Sequence, residues 1–319
     1  MTKTDEVKRV AQDIKLMRIR GAGKIARAAA EALLTTAQQS KAKSSLSLMK
    51  EVETAAKLLL DTRPTAVSLQ NSIRRIVNET RIANNRNIKV EKMRQCIVET
   101  STKFIQDSLS AIERIGVIGA GRIEDDDLIM THCNSATATK VLSTAFANGK
   151  HFKVFASETR PRLQGRITAK TLSNLGIPTS LIVDSAIRFF MTKMNKVIVG
   201  ADAVASNGAV VNKIGTSLMA LAAHEARVPF FVTAETYKFS PETVLGQLVK
   251  IEERDSSEII LEKELLKMPN VSVRNPAFDV TPPEYIDLII TEKGIIPPQA
   301  AIMIIQEEFG SITAEKLEY

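Results

Sequence analysis

From residue 120 onwards, short apolar runs alternate with segments of helical pattern, and this alternation constrains the fold more than any other feature of the sequence. The apolar runs are, in chain order, DLIMTHC, FKVFASE, SLIVD, KVIVGAD, PFFVTAE and YIDLIITEKG. Alternation of strands and helices predicts right-handed crossovers and a parallel sheet. Because the runs are continuously apolar, we expect helices to cover both faces of that sheet.

The first third of the chain has a helical pattern throughout. Apolar residues recur at spacings of three and four in DEVKRVAQDIKLMRI, and GKIARAAAEALLTTAQQ is rich in strong helix formers. We therefore predict an α/β protein of two domains. A helical N-terminal domain over residues 1–115 is followed by a Rossmann-like parallel-sheet domain over residues 116–319, with helices on both faces of the sheet.

Charge is unevenly distributed between these two parts. Residues 1–115 contain 22 Lys and Arg against 12 Asp and Glu, whereas the remainder contains 21 against 24. A basic half suits a nucleic acid, a phosphorylated small molecule or an acidic partner protein. The sequence has no Trp and no signature of a nucleic-acid-binding module, so nucleic acid is the least expected of the three.

Several classes of protein are excluded by what the sequence lacks. No apolar run reaches the roughly 18 residues of a membrane span, and MTKTDEVKRVAQDIK has no signal-peptide core, so we expect a cytoplasmic protein without a membrane partner. Cys96 and Cys133 are too few for a disulfide framework, and the three histidines form no ligand cluster. No nucleotide fingerprint follows a predicted strand. We expect neither a metal nor a cofactor.

Polar residues capable of chemistry end five consecutive predicted strands. They are Cys133, Glu158, Asp184, Asp202 and Glu235. In open α/β sheets, ligands bind beyond the carboxyl ends of the strands. Each residue taken alone could instead cap a helix or belong to a loop. Together they predict a site with a thiol and carboxylates at one edge of the sheet.

Cys133 and Asp202 are the candidate catalytic residues. Asp202 lies between apolar residues in VIVGADAV, where Gly200 allows close backbone approach, and a partly desolvated carboxylate suits proton transfer. Cys133 precedes a predicted helix, whose N-terminus would lower the pKa of the thiol. The alternatives are a helix cap for Asp202 and a silent thiol for Cys133. His132 points to the opposite face of the strand, which argues against a Cys–His pair.

Basic residues and glycines could hold phosphate groups. RGAGK at residues 20–24 enters a predicted helix, so its glycines can expose backbone N–H groups at the positive end of the helix dipole. Arginine, lysine and asparagine side chains elsewhere in the sequence could donate further hydrogen bonds to phosphate oxygens. The candidate ligands are Arg20, Gly21, Ala22, Gly23, Arg63, Asn212, Lys213 and Lys238. Each alone could be a solvated surface group, but two clusters, one per domain, would suit a ligand with two phosphates.

Five segments, in this order, resemble the superfamily of translation initiation factor 2B alpha/beta/delta subunits and methylthioribose-1-phosphate isomerases. They are THCNSATAT (131–139), ETRPRLQGR (158–166), VIVGADAVASNGAVVNKIGT (197–216), VTAETYKF (232–239) and NPAFDVTPPEYIDLIITEKG (275–294). The resemblance covers essentially the whole chain. Within the superfamily it is strongest to the archaeal ribose-1,5-bisphosphate isomerases.

The resemblance implies isomerisation of ribose 1,5-bisphosphate to ribulose 1,5-bisphosphate, a step between AMP breakdown and Rubisco. Cys133 would exchange the carbon-bound proton through a cis-enolate and Asp202 would relay protons at oxygen, with a hydride shift as the alternative mechanism. Ser135 would line the same loop, and Arg160 and Gln164 are secondary candidates. The implied partners are a phosphorylated pentose, an AMP effector and further copies of the chain, in a dimer or a hexamer.

Two other functions fit the same resemblance. A non-catalytic regulatory subunit would dock onto a translation initiation factor through the basic N-terminal part, but such subunits generally lack the pair formed here by Cys133 and Asp202. A methylthioribose-1-phosphate isomerase would typically read RGAPAI near the N-terminus, where this chain reads RGAGKI. The additional Lys24 favours a more anionic substrate.

Overall fold

The computed structural model describes residues 3–310 and residue 312, and its first third consists of helices joined by short loops. The helices are α1 (Lys3–Lys15), α2 (Ala22–Gln39), α3 (Ser45–Leu60), α4 (Val67–Asn85) and α5 (Val90–Ala120). They bury one continuous apolar core that includes Ile25, Leu48 and Phe104. No helix among the described residues is both long and apolar enough to cross a membrane.

Ten strands and six α-helices follow within the described residues. The strands are β1 (Leu128–Thr131), β2 (Lys153–Ser157), β3 (Thr179–Ile182), β4 (Lys196–Gly200), β5 (Ala203–Val204), β6 (Val210–Lys213), β7 (Phe230–Thr233), β8 (Phe278–Thr281), β9 (Leu288–Thr291) and β10 (Gly294–Ile296). The helices are α6 (Ala136–Ala147), α7 (Gln164–Asn174), α8 (Ile187–Met191), α9 (Thr216–Ala226), α10 (Glu262–Leu265) and α11 (Ala301–Phe309).

Seven of the strands form the predicted sheet, in the order β10-β9-β7-β4-β1-β2-β3. All neighbours are parallel except the terminal hairpin of β9 and β10. Helices pack on both faces, so that in β4 the buried Ile198 faces α6 and α7 while Val197 and Val199 face α8, α9 and α11. The predicted fold class is therefore confirmed.

The order of the strands creates a switch point at the centre of the sheet. The chain passes from β1 to β2 and β3 on one side, then returns to place β4 on the other side of β1. At such a reversal the connections leave in opposite directions, and a crevice opens beyond the carboxyl ends of the two central strands.

A second, antiparallel sheet of β5, β6 and β8 was not predicted from the sequence. These strands are only two to four residues long. Runs this short carry little periodic signal, so no strand was predicted between KVIVGAD and α9. This sheet holds Asn212 opposite Asp279, and Lys213 opposite Phe278.

The long helix α5 connects the helical part to the sheet. Its last turns lie against α6, where a Cβ on Gly116 would be 2.5 Å from Lys140 Cγ and one on Gly119 would be 2.4 Å from Val141 Cγ2. The predicted boundary between residues 115 and 116 falls inside this helix. The division into two domains stays a prediction.

Replacement of Gly119 by Ala should destabilise the fold, although Ala is the better helix former. The new methyl group would overlap the buried Val141, and overpacking of this kind costs about 1–3 kcal/mol. Urea denaturation should show a lower free energy of unfolding. Gly121→Ala is the matched control, because the nearest atom to its Cβ, Ile118 O, lies 3.5 Å away. Equal stability of the two variants would contradict the proposed close packing.

Candidate active site

A cavity of about 420 Å³ lies beyond the carboxyl ends of β1 and β4, between the sheet and the helical part. All of the catalytic and binding residues predicted from the sequence line it. They are Cys133, Asp202, Arg20, Gly21, Ala22, Gly23, Arg63, Ser135, Asn212, Lys213 and Lys238. The structure therefore brings together residues that are separated by more than two hundred positions in the chain.

Cys133 follows β1 and has a left-handed backbone conformation, with φ of 64°. Two threonines hold it there. Its N–H donates to Thr159 Oγ1 at 2.9 Å, and its carbonyl accepts from Thr168 Oγ1 at 2.8 Å. A non-glycine residue with positive φ is uncommon and persists where its surroundings fix it. These bonds fix the position from which the thiol faces the cavity.

The expected lowering of the Cys133 pKa is wrong. Burial raises the pKa of the thiol to about 11 and Asp202 raises it as well, while Lys213 and Arg254 pull in the opposite direction. The favourable bond from the Asn134 N–H is too small to offset the loss of hydration. The thiol is therefore protonated at neutral pH when the site contains no ligand.

Asp202 follows β4, the strand directly beside β1. Its N–H donates to Val211 O at 2.9 Å, which fixes the backbone at the start of the antiparallel sheet. Two residues earlier, a Cβ on Gly200 would lie 2.3 Å from Ser135 Oγ. Only glycine permits this approach, and Ser135 in turn caps α6 by accepting from the Ala138 N–H at 3.2 Å.

His132 does not serve as a base for Cys133. Its Nε2 lies 2.7 Å from Ile214 O, and because a carbonyl can only accept, Nε2 carries the proton. Its Nδ1 then accepts from Ser157 Oγ at 2.6 Å. Burial lowers the pKa of this histidine, which favours the neutral ring. Both nitrogens are occupied, so the thiol must exchange its proton with another group.

Three helices begin at the cavity. Helix α2 starts after Gly21, which has φ of 91°, while α6 and α7 begin at Ala136 and Gln164. First-turn N–H groups have no partner within their own helix, and the dipoles concentrate positive potential at these ends. Some of these donors already have acceptors, since at α7 the Gly165 N–H donates to Glu158 O and at α6 the Ala138 N–H donates to Ser135 Oγ. The start of α2 is therefore the main source of backbone donors for an anion in the cavity.

One group of cations contains Arg63, Lys213 and Arg254. Lys213 is buried, donates from Nζ to Ala277 O at 2.8 Å and lies 4.4 Å above the centre of the Phe278 ring. Burial lowers the pKa of Lys213, and the neighbouring guanidinium groups of Arg254 and Arg63 lower it further. Glu252 pairs with both arginines.

A second group surrounds Glu235 at the end of β7. Lys238 Nζ lies 2.6 Å from Glu235 Oε2, and the Tyr237 hydroxyl donates to Glu235 Oε1 at 3.0 Å. A Cβ on Gly23 would lie 2.8 Å from the Tyr237 hydroxyl, so the start of α2 approaches this group only because it has no side chain there. Burial raises the pKa of Tyr237 well above its usual value, and the phenol stays protonated.

Each of these two groups draws on both parts of the chain. Arg63 comes from the helical part and lies with Lys213 from the sheet part, while Gly23 lies against Glu235. The sequence predicted one cluster of phosphate ligands in each domain. In the structure, each group instead contains residues from both parts of the chain. Asn212 is buried beside them and donates from Nδ2 to Thr216 Oγ1 at 3.0 Å.

Two of the five polar strand ends lie outside the cavity. Glu158 pairs with Arg166 at 2.7 Å, and Asp184 accepts from the N–H groups of Thr159 and Arg160. They support the loop that holds Cys133. Of the secondary candidates, Gln164 lines the cavity and Arg160 does not.

Arg254 was not predicted from the sequence, and it lines the cavity from a segment with no strand–helix alternation. Arg27, which also lines the cavity, was likewise assigned no role. Lys24 belongs to the RGAGK segment that was expected to hold phosphate, and it lines the cavity. The lining contains seven basic side chains and two carboxylates, a balance that suits an anionic ligand. Among the residues that the structure describes, no group of three His, Cys, Asp or Glu side chains could hold a metal ion.

Comparison with known proteins places the chain in a family. The model of the Initiation factor 2 subunit family matches residues 18–298. The ribose 1,5-bisphosphate isomerase of Pyrococcus furiosus is 57% identical, over 96% of this chain and 94% of the relative. The protein of that name from Thermococcus kodakarensis is 55% identical, over 97% of both chains.

A solved structure shows the same fold. The translation initiation factor eIF-2B of Pyrococcus horikoshii OT3 superposes with a TM-score of 0.78 at 34% identity, over 93% of this chain and 98% of that one. The resemblance expected from the five ordered segments is thus confirmed. The chain belongs to the Initiation factor 2 subunit family.

Proposed function

We propose that the protein is an aldose–ketose isomerase that converts ribose 1,5-bisphosphate to ribulose 1,5-bisphosphate. The observation that carries the proposal is the placement of Cys133 and Asp202 beyond adjacent strands, in a cavity with an excess of cations. The names of the two relatives from Pyrococcus furiosus and Thermococcus kodakarensis support the same reaction.

The cavity suits a pentose with two phosphate groups. Its volume of about 420 Å³ is in the range typical of small-molecule sites. A phosphate ester carries between one and two negative charges at neutral pH and accepts several hydrogen bonds. The helix N-termini with Arg20 and Lys238 would hold one phosphate. Arg63 and Lys213 would hold the other, and Asn212 and Ser135 would bind hydroxyl groups.

The reaction requires proton transfers at both carbon and oxygen. Because C1 of the substrate carries a phosphate ester, the furanose ring cannot open as it does in a free sugar. A proton must reach the ring oxygen as its bond to C1 breaks. The hydrogen on C2 is then removed, and C1 is protonated to give the ketose. One group must serve the carbon atoms while another serves the oxygen atoms.

We assign the carbon-bound proton to Cys133 and the oxygen-bound protons to Asp202. Transfer of the thiol proton to Asp202 gives a thiolate and a carboxylic acid. The acid protonates the ring oxygen, and the thiolate then takes the proton from C2. Asp202 next removes the proton of the C2 hydroxyl, which leaves a cis-enolate. Finally the thiol protonates C1, and Asp202 returns one proton to Cys133.

The cations beside Cys133 support this sequence of steps. Lys213 and Arg254 lower the pKa of the thiol against the effect of burial, so they stabilise the thiolate. The same charges would stabilise an enolate formed nearby. Both effects are strong in a site where little water competes.

The two rival functions make different use of the same cavity. A regulatory subunit of the translation machinery has support in the solved initiation factor of the same fold. That function needs a docking surface and makes no use of a thiol beside a carboxylate. A methylthioribose-1-phosphate isomerase would use the same pair of Cys133 and Asp202. Its substrate has one phosphate group, which would leave part of the positive charge of the cavity without a counter-charge.

Three further expectations stay predictions. They are a cytoplasmic location, an AMP effector and assembly into a homo-oligomer, with a dimer and a hexamer of three dimers as the alternatives. Support for assembly comes from exposed apolar side chains on α8 and α9. Among these, Phe189 is 72% exposed and Leu218 is 55% exposed.

Substitution of either proposed catalytic residue should strongly reduce turnover while the fold remains intact. Purified protein is supplied with ribose 1,5-bisphosphate or methylthioribose 1-phosphate, and ketose formation is followed. We expect turnover of the bisphosphate, reduced about 100- to 10,000-fold in Cys133→Ser and in Asp202→Asn. Cys96→Ser is the matched control and should retain full activity. Failure to convert the bisphosphate would reject the proposed function.

Solvent deuterium distinguishes proton transfer from a hydride shift. In D2O, a proton carried by Cys133 can exchange with solvent before it reaches C1, so the ketose should gain deuterium at C1. A direct shift from C2 to C1 would leave C1 without deuterium. Mass spectrometry or NMR of the product gives the answer, and complete absence of label would remove Cys133 from its assigned role.

The pH dependence of alkylation tests the state of the thiol. Only the thiolate reacts with iodoacetamide. Because burial raises the pKa of Cys133 to about 11, the rate in a Cys96→Ser background should keep rising through pH 10. The test uses the shape of the plot of alkylation rate against pH, because limited access of iodoacetamide to the buried thiol lowers the rate equally at every pH. An inflection near pH 8.5 followed by a plateau, at the usual cysteine pKa of about 8.5, would show that the thiol has an ordinary pKa.

A further inference from the structure

We infer that Arg254 is a phosphate-binding residue of this cavity and acts with Arg63 and Lys213 on one phosphate group of the ligand. This inference rests on the proposed function for the identity of the substrate. Its direct evidence is the position, burial and hydrogen bonding of the Arg254 side chain.

The backbone around Arg254 is held in place. Its N–H donates to Asn275 O at 2.9 Å, and the Ala277 N–H donates to Glu252 O at 2.8 Å. Residues 275–277 lead directly into β8, which pairs with β6 beside Lys213. The same Ala277 accepts from Lys213 Nζ. Arg254 and Lys213 are thus joined through one short piece of rigid backbone.

The guanidinium group of Arg254 is buried but incompletely bonded. Its side chain is 7% exposed, and neither Nε nor Nη1 has a hydrogen-bond acceptor among the described residues. Glu252 Oε1 lies 3.3 Å from Nε and Glu258 Oε1 lies 3.7 Å from Nη1, which is close enough for attraction but not for bonds of good geometry. Buried donors without acceptors are costly, so a ligand oxygen would stabilise this arrangement.

Positive charge also accumulates at this point. Burial lowers the pKa of Arg254, and the neighbouring Arg63 lowers it further in spite of the opposing effect of Glu252. Arg63 likewise has a buried Nε without an acceptor among the described residues. Two guanidinium groups and an ammonium group with free donors match the several acceptor oxygens of a phosphate.

A purely structural role for Arg254 makes a different prediction. In that case the residue would serve to anchor residues 252–258 through Glu258. Arg162 pairs with the same carboxylate at 2.7 Å and does not line the cavity. Loss of Arg162 would then disturb the segment as much as loss of Arg254.

The test compares Arg254→Gln and Arg254→Lys with two control variants. Arg162→Gln removes the other partner of Glu258, and Arg274→Gln removes one positive charge from a 78% exposed side chain nearby. Circular dichroism checks the fold of each variant. The measurements are calorimetric binding of inorganic phosphate, and KM and kcat with ribose 1,5-bisphosphate.

We expect Arg254→Gln to weaken phosphate binding and raise KM about 10- to 100-fold, with a smaller change in kcat. Arg254→Lys should recover part of the loss, because it restores the charge without the planar fork. Both controls should stay near wild type. Unchanged phosphate affinity in Arg254→Gln, or an equal loss in Arg162→Gln, would overturn the inference.

Phosphate binding is measured without turnover, so the two proposals can fail separately. A wild-type protein that binds phosphate through Arg254 but does not convert the bisphosphate would contradict the proposed reaction only. A protein that converts the bisphosphate with the same KM and phosphate affinity in wild type and Arg254→Gln would contradict the role of Arg254 only. If Arg254→Gln does not fold, the comparison of Arg254→Lys with Arg162→Gln decides the question.

Discussion

The parallel pairing of β1 with β4 determines where chemistry can take place in this protein. It sets Ile129 opposite Lys196 and Met130 opposite Val197, so the two strands end side by side. Because the chain reverses direction across the sheet at this pair, no crossover covers the space beyond their ends. Cys133 and Asp202 take their positions from that pairing.

The rest of the site is assembled around these two strand ends by close contacts. Gly200 admits the Ser135 side chain, and Gly23 admits the Tyr237 hydroxyl. Each contact joins segments that are distant in the sequence, and each depends on a missing Cβ. The helical part is thereby held against the sheet part at the point where a ligand would bind. The close contacts at Gly200 and Gly23 therefore help to set the shape of the cavity and the positions of the charged groups around it.

Much of this arrangement could be predicted from the sequence, since it depends on local patterns. Continuous apolar runs identified the strands, and the residue that ended each run identified Cys133 and Asp202. The elevated pKa of Cys133 could not be predicted, because it arises from burial by segments that meet only after folding. Arg254 was missed for a related reason. It belongs to a segment that adopts its position by pairing with residues 275–277 rather than through a periodic pattern of its own.

The high pKa of Cys133 has a consequence for the durability of the protein. Oxidants and electrophiles attack thiolates far faster than thiols, so cysteines activated at rest are also the ones most readily damaged. Under the proposed mechanism, Cys133 would give up its proton only when a ligand is bound, so its thiol would avoid this damage in the unliganded protein. Such a cysteine would survive long periods without substrate, whereas a permanently ionised one would need repair or replacement.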